Sequence, residues 1–157
     1  GSRRIVRLAG RGDLIGQEAL LGQPYEDDAI ACTPVVLCRI PAPLVDELGE
    51  VRRELLRELM RRWQQALEEA TRWSSDLRAG AARRRVLELL ADLARYPDDR
   101  GRIWLPTRAL MGDMLDLTEE TASRIVSQLR REGVLHEVRH GQARLDADRL
   151  ATARRAG

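Results

Sequence analysis

The stretch from Thr107 to Leu145 constrains this chain more than any other. Thr107 to Leu115 reads as a helix that Thr107 can cap, because a threonine hydroxyl accepts from a free N–H of the first turn. Asp116-Leu117 leaves room only for a tight turn. Thr118 then opens a second helix running to Arg130, with Thr118 and Thr121 spaced for a capped first turn. Within it, Ile125, Val126 and Leu129 fall on an inward face, and Glu120, Ser123, Arg124, Ser127 and Gln128 fall outward. Gly133 ends that helix. Val134–Val138 and Ala143–Leu145 read as strands flanking Arg139-His140-Gly141-Gln142, a hairpin with glycine in its turn.

Two helices, a short turn and a β-hairpin spell a winged helix-turn-helix. The second helix of such a unit enters the major groove of DNA, where its N-terminal residues meet base edges. Arginine pairs with guanine O6 and N7, and glutamate accepts from cytosine N4. Hydroxyls and helix-terminal amides hold phosphates. The candidate DNA contacts are therefore Glu120, Ser123 and Arg124 to bases, and Thr107, Thr118, Thr121, His140 and Arg144 to phosphates. Each has a plainer reading; Glu120 and Arg124, four apart, could form a helix-surface ion pair.

Upstream, residues 3–41 read as strands. Ile5, Val6 and Leu8 make one apolar run, and Val35-Val36-Leu37-Cys38-Arg39-Ile40 makes another, stopped by Pro41. A few strands cannot close a sheet alone. This segment is expected to be the truncated tail end of a β domain whose beginning is missing. From residue 43 to 78 the spacing turns helical: Leu48, Val51, Leu55, Leu59, Trp63, Ala66, Ala70, Trp73 and Leu77 recur in steps of three or four. One long helix with one seam needs a partner, either its own domain or a second copy of the chain. The dimer reading places Leu48, Val51, Leu55, Leu59, Trp63 and Ala66 at a homodimer interface. Gly80 breaks the pattern, and residues 81–157 form the winged-helix domain. The expected fold class is α+β: the last part of a β domain, a long dimerisation helix, and the winged helix-turn-helix.

Here the sequence resembles the CRP/FNR family, its FNR branch most closely, from Gly12 to about Arg149. Gly12-Asp13-Leu14-Ile15-Gly16 with Ala19-Leu20-Leu21 is similar to the late β-roll of that family, and Cys38-Arg39-Ile40-Pro41 to the strand leaving it. Leu115 to Arg124 resembles the FNR recognition segment, whose Glu, Ser and Arg fall on Glu120, Ser123 and Arg124. The resemblance implies a cyclic-nucleotide-binding-like roll and a transcriptional regulator that binds double-stranded DNA as a homodimer on a palindromic site, with RNA polymerase as a further partner. It also implies an iron–sulfur cluster or haem as the sensing cofactor of a longer chain, with Cys38 at the place of one cluster ligand. Three departures stand out. The family's cyclic-phosphate Arg-Ser pair falls on Asp27-Asp28, its Glu after the glycine becomes Gln17, and the Gly of its helix turn becomes Asp116.

Composition sets the outer limits. All 27 basic residues are Arg, yet the net charge is only +2, so a nucleic-acid reading must rest on where the charges lie. With two cysteines the chain holds no disulfide framework and by itself lacks the four thiolates of a cluster, so no cofactor or metal is expected within these residues. No apolar run reaches a membrane span and no signal peptide is visible, which fits the cytoplasm. No nucleophile elbow, P-loop or metal-ligand spacing suggests an enzyme; His136 and His140 lie in a hairpin, not on one helix face. The competing non-enzymatic reading is a protein-interaction adaptor that uses the winged helix without DNA.

Overall fold

A computed structural model describes residues 5–75, 77 and 79–156. The elements follow in order: a 3₁₀ turn at Gln17–Leu21, then α1 (Ala42–Val51), α2 (Arg53–Ser75), α3 (Ala82–Leu93), β1 (Arg102–Trp104), α4 (Arg108–Leu115), α5 (Glu119–Arg131), β2 (Leu135–Arg139), β3 (Gln142–Leu145) and α6 (Ala147–Ala156). Two compact units result. One is Ala9–Glu69; the other takes the described residues from Ala70 onward together with 5–8.

In the first unit the strands expected over residues 3–41 do not form. Among the described residues 5–41, only the 3₁₀ turn is regular. A strand needs a neighbour to take its N–H and C=O groups and a layer to cover its apolar side. The β-branched run finds neither, and Val36 and Leu37 stand in solvent. Residues 1–4, where that expectation began, lie outside the described residues.

Nor does one helix span residues 43–78. Pro43 sits in the first turn of α1, where its missing N–H costs nothing. The helix stops after Val51, because Arg52 is extended (φ −129°, ψ 91°). Gly49 lies just before this break. A β-carbon there would lie 3.0 Å from Leu56 Cδ2, so the bare backbone at Gly49 is the surface on which Leu56 packs. Helical periodicity survives this break, which is why the spacing alone hides it. Glu58 accepts from both Arg61 and Arg62 and is held below the ordinary carboxylate range by those hydrogen bonds.

The second unit has a continuous apolar core. Val86, Leu89 and Leu90 of α3, Met111 and Leu115 of α4, Ala122, Val126 and Leu129 of α5, and Ala143 of β3 are essentially sealed from solvent. Trp73 and Leu77, from the end of α2 and just beyond it, are buried in the same core. Ile5 and Leu8 pack against its side. The three strands run antiparallel in the order β1-β3-β2, with Ile103 opposite Ala143 and Leu135 opposite Leu145 on the covered face. Helix α6 is the element the apolar spacing did not reveal. Its signal was Asp146, whose carboxylate accepts from Arg149 N–H at 2.9 Å and caps the first turn ahead of buried Leu150.

One charged pair sits at the edge of this core. Asp92 is 3% exposed, and Arg72 donates to its Oδ1 at 2.6 Å, joining the end of α2 to α3. Its Oδ2 is buried without a hydrogen-bond partner, so Arg72 is the guanidinium hydrogen-bonded to Asp92, with Arg154 near enough to feel the same charge. Arg72→Met should leave a buried carboxylate uncompensated and lower stability by about 1–3 kcal/mol, discounted because Arg72 itself is partly exposed. Urea denaturation of the variant checks this; an unchanged midpoint would mean that water serves Asp92 as well as Arg72 does.

Candidate nucleic-acid interface

The site is built from the turn outward. Thr107 caps α4, its Oγ1 accepting from Leu110 N–H at 3.2 Å. The helix ends at Asp116, which takes the left-handed conformation (φ 54°, ψ 52°) that glycine adopts without strain. Leu117 N–H then donates back to Gly112 O at 2.9 Å. At Gly112 the packing leaves no room: a β-carbon would stand 2.6 Å from the Leu117 carbonyl oxygen. From α3, Arg85 Nη1 donates to Leu115 O at 2.7 Å and Asp116 O at 3.3 Å, satisfying carbonyls that the end of α4 leaves open. Thr118 begins α5. Its Oγ1 accepts from Thr121 N–H at 3.1 Å, and the two hydroxyls lie 2.9 Å apart.

This turn fixes which face of α5 is offered to solvent. Ala122, Ile125, Val126 and Leu129 are buried, and Glu120, Ser123, Arg124, Ser127 and Gln128 are exposed. Glu120 and Arg124 make no ion pair with one another, and among the described residues neither has a hydrogen-bonded or ion-paired partner. The plainer reading of that pair is not realised. Glu119 and Glu120 in the first turn suit the positive end of the helix dipole.

The wing follows. Strands β2 and β3 join through His140-Gly141, both at positive φ (49° and 73°), as a two-residue hairpin turn requires. Leu105 N–H donates to Gly141 O at 2.8 Å and ties that turn to the segment after β1. A bulge between His136 and Arg139 places Glu137 at φ 48°. His140 is thus exposed at the wing tip, and Arg144 is exposed mid-strand. Arg144 already has a partner, Glu137 Oε2 at 3.2 Å, in an exposed pair of small worth. Thr107, Thr118 and Thr121 sit at the two helix starts, with the oxygens of Thr107 and Thr118 engaged in caps.

Sequence reasoning missed the residues that hold the turn, Arg85 and Gly112. The spacing of glycine four residues before Asp116 was the signal for the second. It also missed Arg108, whose guanidinium is pushed below its ordinary value by burial and then by neighbouring Arg130.

Comparison with known proteins now has a geometry to attach to. The Crp-like helix-turn-helix domain matches residues 84–153, and the cyclic nucleotide-binding domain matches residues 1–60. The "Anaerobic regulatory protein" of Pasteurella multocida is 27% identical over 141 residues, covering 86% of this chain and 51% of that protein. The "Transcriptional activator protein FnrL" of Cereibacter sphaeroides is 31% identical over 144 residues, covering 86% of this chain and 57% of that protein. This chain belongs to the CRP/FNR family of transcriptional regulators. A CRP-family regulator from Thermus thermophilus has the same fold, with a TM-score of 0.74 over 95% of this chain and 75% of that one, at 23% identity. The chain spans about half the length of the curated relatives it matches.

Family membership raises the question of a sensed ligand. Gln17 Nε2 and Glu18 Oε2 are buried without partners, polar atoms that a ligand could satisfy. Asp27 and Asp28 are exposed on the segment that follows, and their carboxylates would repel a phosphate brought close to them. Cys32 and Cys38 are free and exposed, and among the described residues no group of three His, Cys, Asp or Glu is placed to hold a metal. Among the described residues, no helix is long and apolar enough to cross a membrane.

The close approach at Gly112 gives a direct test. Gly112→Ala must push the Leu117 carbonyl away and should cost about 1–3 kcal/mol, reorienting α5 against α4. Thermal denaturation with amide NMR of the Asp116–Thr121 segment reads both effects; a variant with wild-type melting and shifts would show that the turn tolerates a side chain.

Proposed function

We propose that this CRP/FNR-family chain binds double-stranded DNA as a homodimer, reading a palindromic FNR-like site through α5. The observation that carries the reading is that Glu120, Ser123 and Arg124 stand exposed on the first two turns of a capped helix whose attitude is fixed by a packed turn. A base-reading side chain must be held in place yet uncommitted to the protein, and Glu120 and Arg124 meet both conditions. Arg124 reads guanine of a TTGAT-type half-site, Glu120 a cytosine, and Ser123 a thymine-side contact. Thr107, Thr118, Thr121, His140 and Arg144 supply phosphate contacts. Arg144 must exchange Glu137 for a phosphate, a small cost for an exposed pair.

Dimerisation is read from α2. Leu55, Leu59 and Ala66 are partly covered within their own unit, and Leu48 and Val51 lie on α1, before the break. The open stripe is Leu56, Met60 and Trp63, exposed by 44%, 70% and 40%. These residues are four and three apart and so line one helix face, which a second copy would cover. A palindromic site asks for two α5 helices about 34 Å apart, one turn of DNA. RNA polymerase is the further partner that transcriptional regulation implies.

Two measurements test this. Arg124→Ala removes a bidentate pair worth ~1–3 kcal/mol in each half-site. Specific affinity should fall by roughly two to four orders of magnitude if the terms add, and affinity for scrambled duplex should fall far less. Equal loss on both duplexes would make Arg124 a backbone contact and overturn the base-reading assignment. Met60→Arg places a charge on the open stripe without touching the core, and should raise the dimer dissociation constant by about ten-fold or more. An unchanged sedimentation profile would reject that face as the seam.

A further inference from the structure

The exposed face of α5 does not end at Arg124. Steps of three and four carry it through Ser127 to Arg130 and Arg131, all exposed. These last residues form one wall of a cleft of about 880 Å³ whose other wall is His136, Glu137 and Arg144 of the hairpin. Arg144 and His136 are direct neighbours across β2 and β3, and Arg102 lies opposite Arg144 on β1. Within this row Arg102 is held by Asp98 at 2.9 Å and Arg144 by Glu137 at 3.2 Å, so the uncommitted charge of the cleft lies on α5.

The local carboxylates are committed elsewhere. Glu137 is engaged by Arg144, Asp146 by Arg149 at 3.6 Å, and Glu132 by Arg83 at 2.6 Å. Among the described residues, no carboxylate lies within ion-pair distance of Arg130 or Arg131. Arg130 instead stands near enough to Arg108 to work against its charge. The cleft therefore holds an excess of positive charge that the fold itself leaves uncompensated.

We propose that this cleft seats the DNA sugar–phosphate backbone bordering the half-site, with Arg130 and Arg131 as the principal contacts and His136 and Arg144 completing the seat. The inference rests on the DNA-binding reading above and adds residues to it. The length of the helix supports the assignment. Arg130 and Arg131 lie about 10 Å along the axis from Arg124, and the major groove is about 12 Å wide. Side chains on α5 that follow the base-reading residues by this distance meet the strand at the groove's edge, while the hairpin closes over the same phosphates. Arginine suits that task because its planar fork can give two hydrogen bonds to one phosphate.

The test uses the intact chain and two duplexes, one carrying the palindrome and one scrambled. The double variant R130Q/R131Q should lower affinity for both by the same factor, roughly ten-fold, and leave their ratio unchanged. Its slope of log affinity against log salt should shrink by about 1.8 per protomer, since each phosphate contact contributes about 0.9. Both side chains are exposed, so circular dichroism and melting should match the wild type; R130E alone should weaken binding further than R130Q. An unchanged slope with wild-type binding overturns the cleft assignment and leaves the base-reading helix standing. A fall on the palindrome alone would make these arginines base contacts and also overturn it. Inorganic phosphate, titrated without DNA, separates the second source of this chemistry. Submillimolar binding lost in the double variant, with the DNA slope unchanged, would assign the cleft to a free anion and reject the backbone. A wild-type chain that binds neither duplex would overturn the parent reading and this one together.

Discussion

The Leu117 carbonyl occupies the space where residue 112 would carry a β-carbon, and the presentation of α5 depends on that contact. Gly112 lets the turn close, Asp116 supplies the left-handed residue, and Arg85 reaches across from α3 to hold the carbonyls at the end of α4. Together they set the attitude of α5 before any side chain of its exposed face is considered. The buried side of α5, Ala122 to Leu129, then locks that attitude into the core it shares with the other helices of its unit and the sheet. The exposed side is free to be chosen for recognition because the buried side and the turn already specify the fold.

The reach of sequence reasoning followed the range of the interactions involved. The helix-turn-helix and wing were legible because their signals are local: caps at Thr107 and Thr118, a glycine after α5, and a glycine in a two-residue hairpin turn. Asp116 in the left-handed region was readable for the same reason. Arg85 was not, because its role is set by a contact thirty-odd positions away, which no spacing encodes. The break at Arg52 escaped for a different reason. Apolar steps of three and four pass through it without interruption, and only the packing of Leu56 on Gly49 reveals the change of direction. The strands of the first unit show a third kind of limit. Residue type can favour extended backbone, but a ladder needs a second strand in register, and pairing is not a property of one segment.

The same division applies to the candidate site. Exposure of Glu120, Ser123 and Arg124 follows from helical periodicity once the inward face is known. Whether they are engaged by neighbours does not, and here the structure adds information by leaving Glu120 and Arg124 apart. The sensing end is where family pattern and actual residues diverge most. Asp27 and Asp28 are exposed carboxylates on a segment that matches a cyclic nucleotide-binding domain, and kinship in fold does not by itself carry kinship in ligand.

Trp73 and Leu77 fill the core of the unit that carries the winged helix, although they belong to the end of α2 and the turn beyond it. The Arg72–Asp92 pair lies on the same border. The glycine-marked break at Gly80, where a reader of the sequence would place the boundary, is therefore not where this unit ends in physical terms. A winged-helix fragment cut there would begin life with an open hole in its interior and a buried carboxylate stripped of its hydrogen-bonded guanidinium. The smallest piece of this chain able to fold as it does in the whole must start upstream of Arg72, inside the long helix itself.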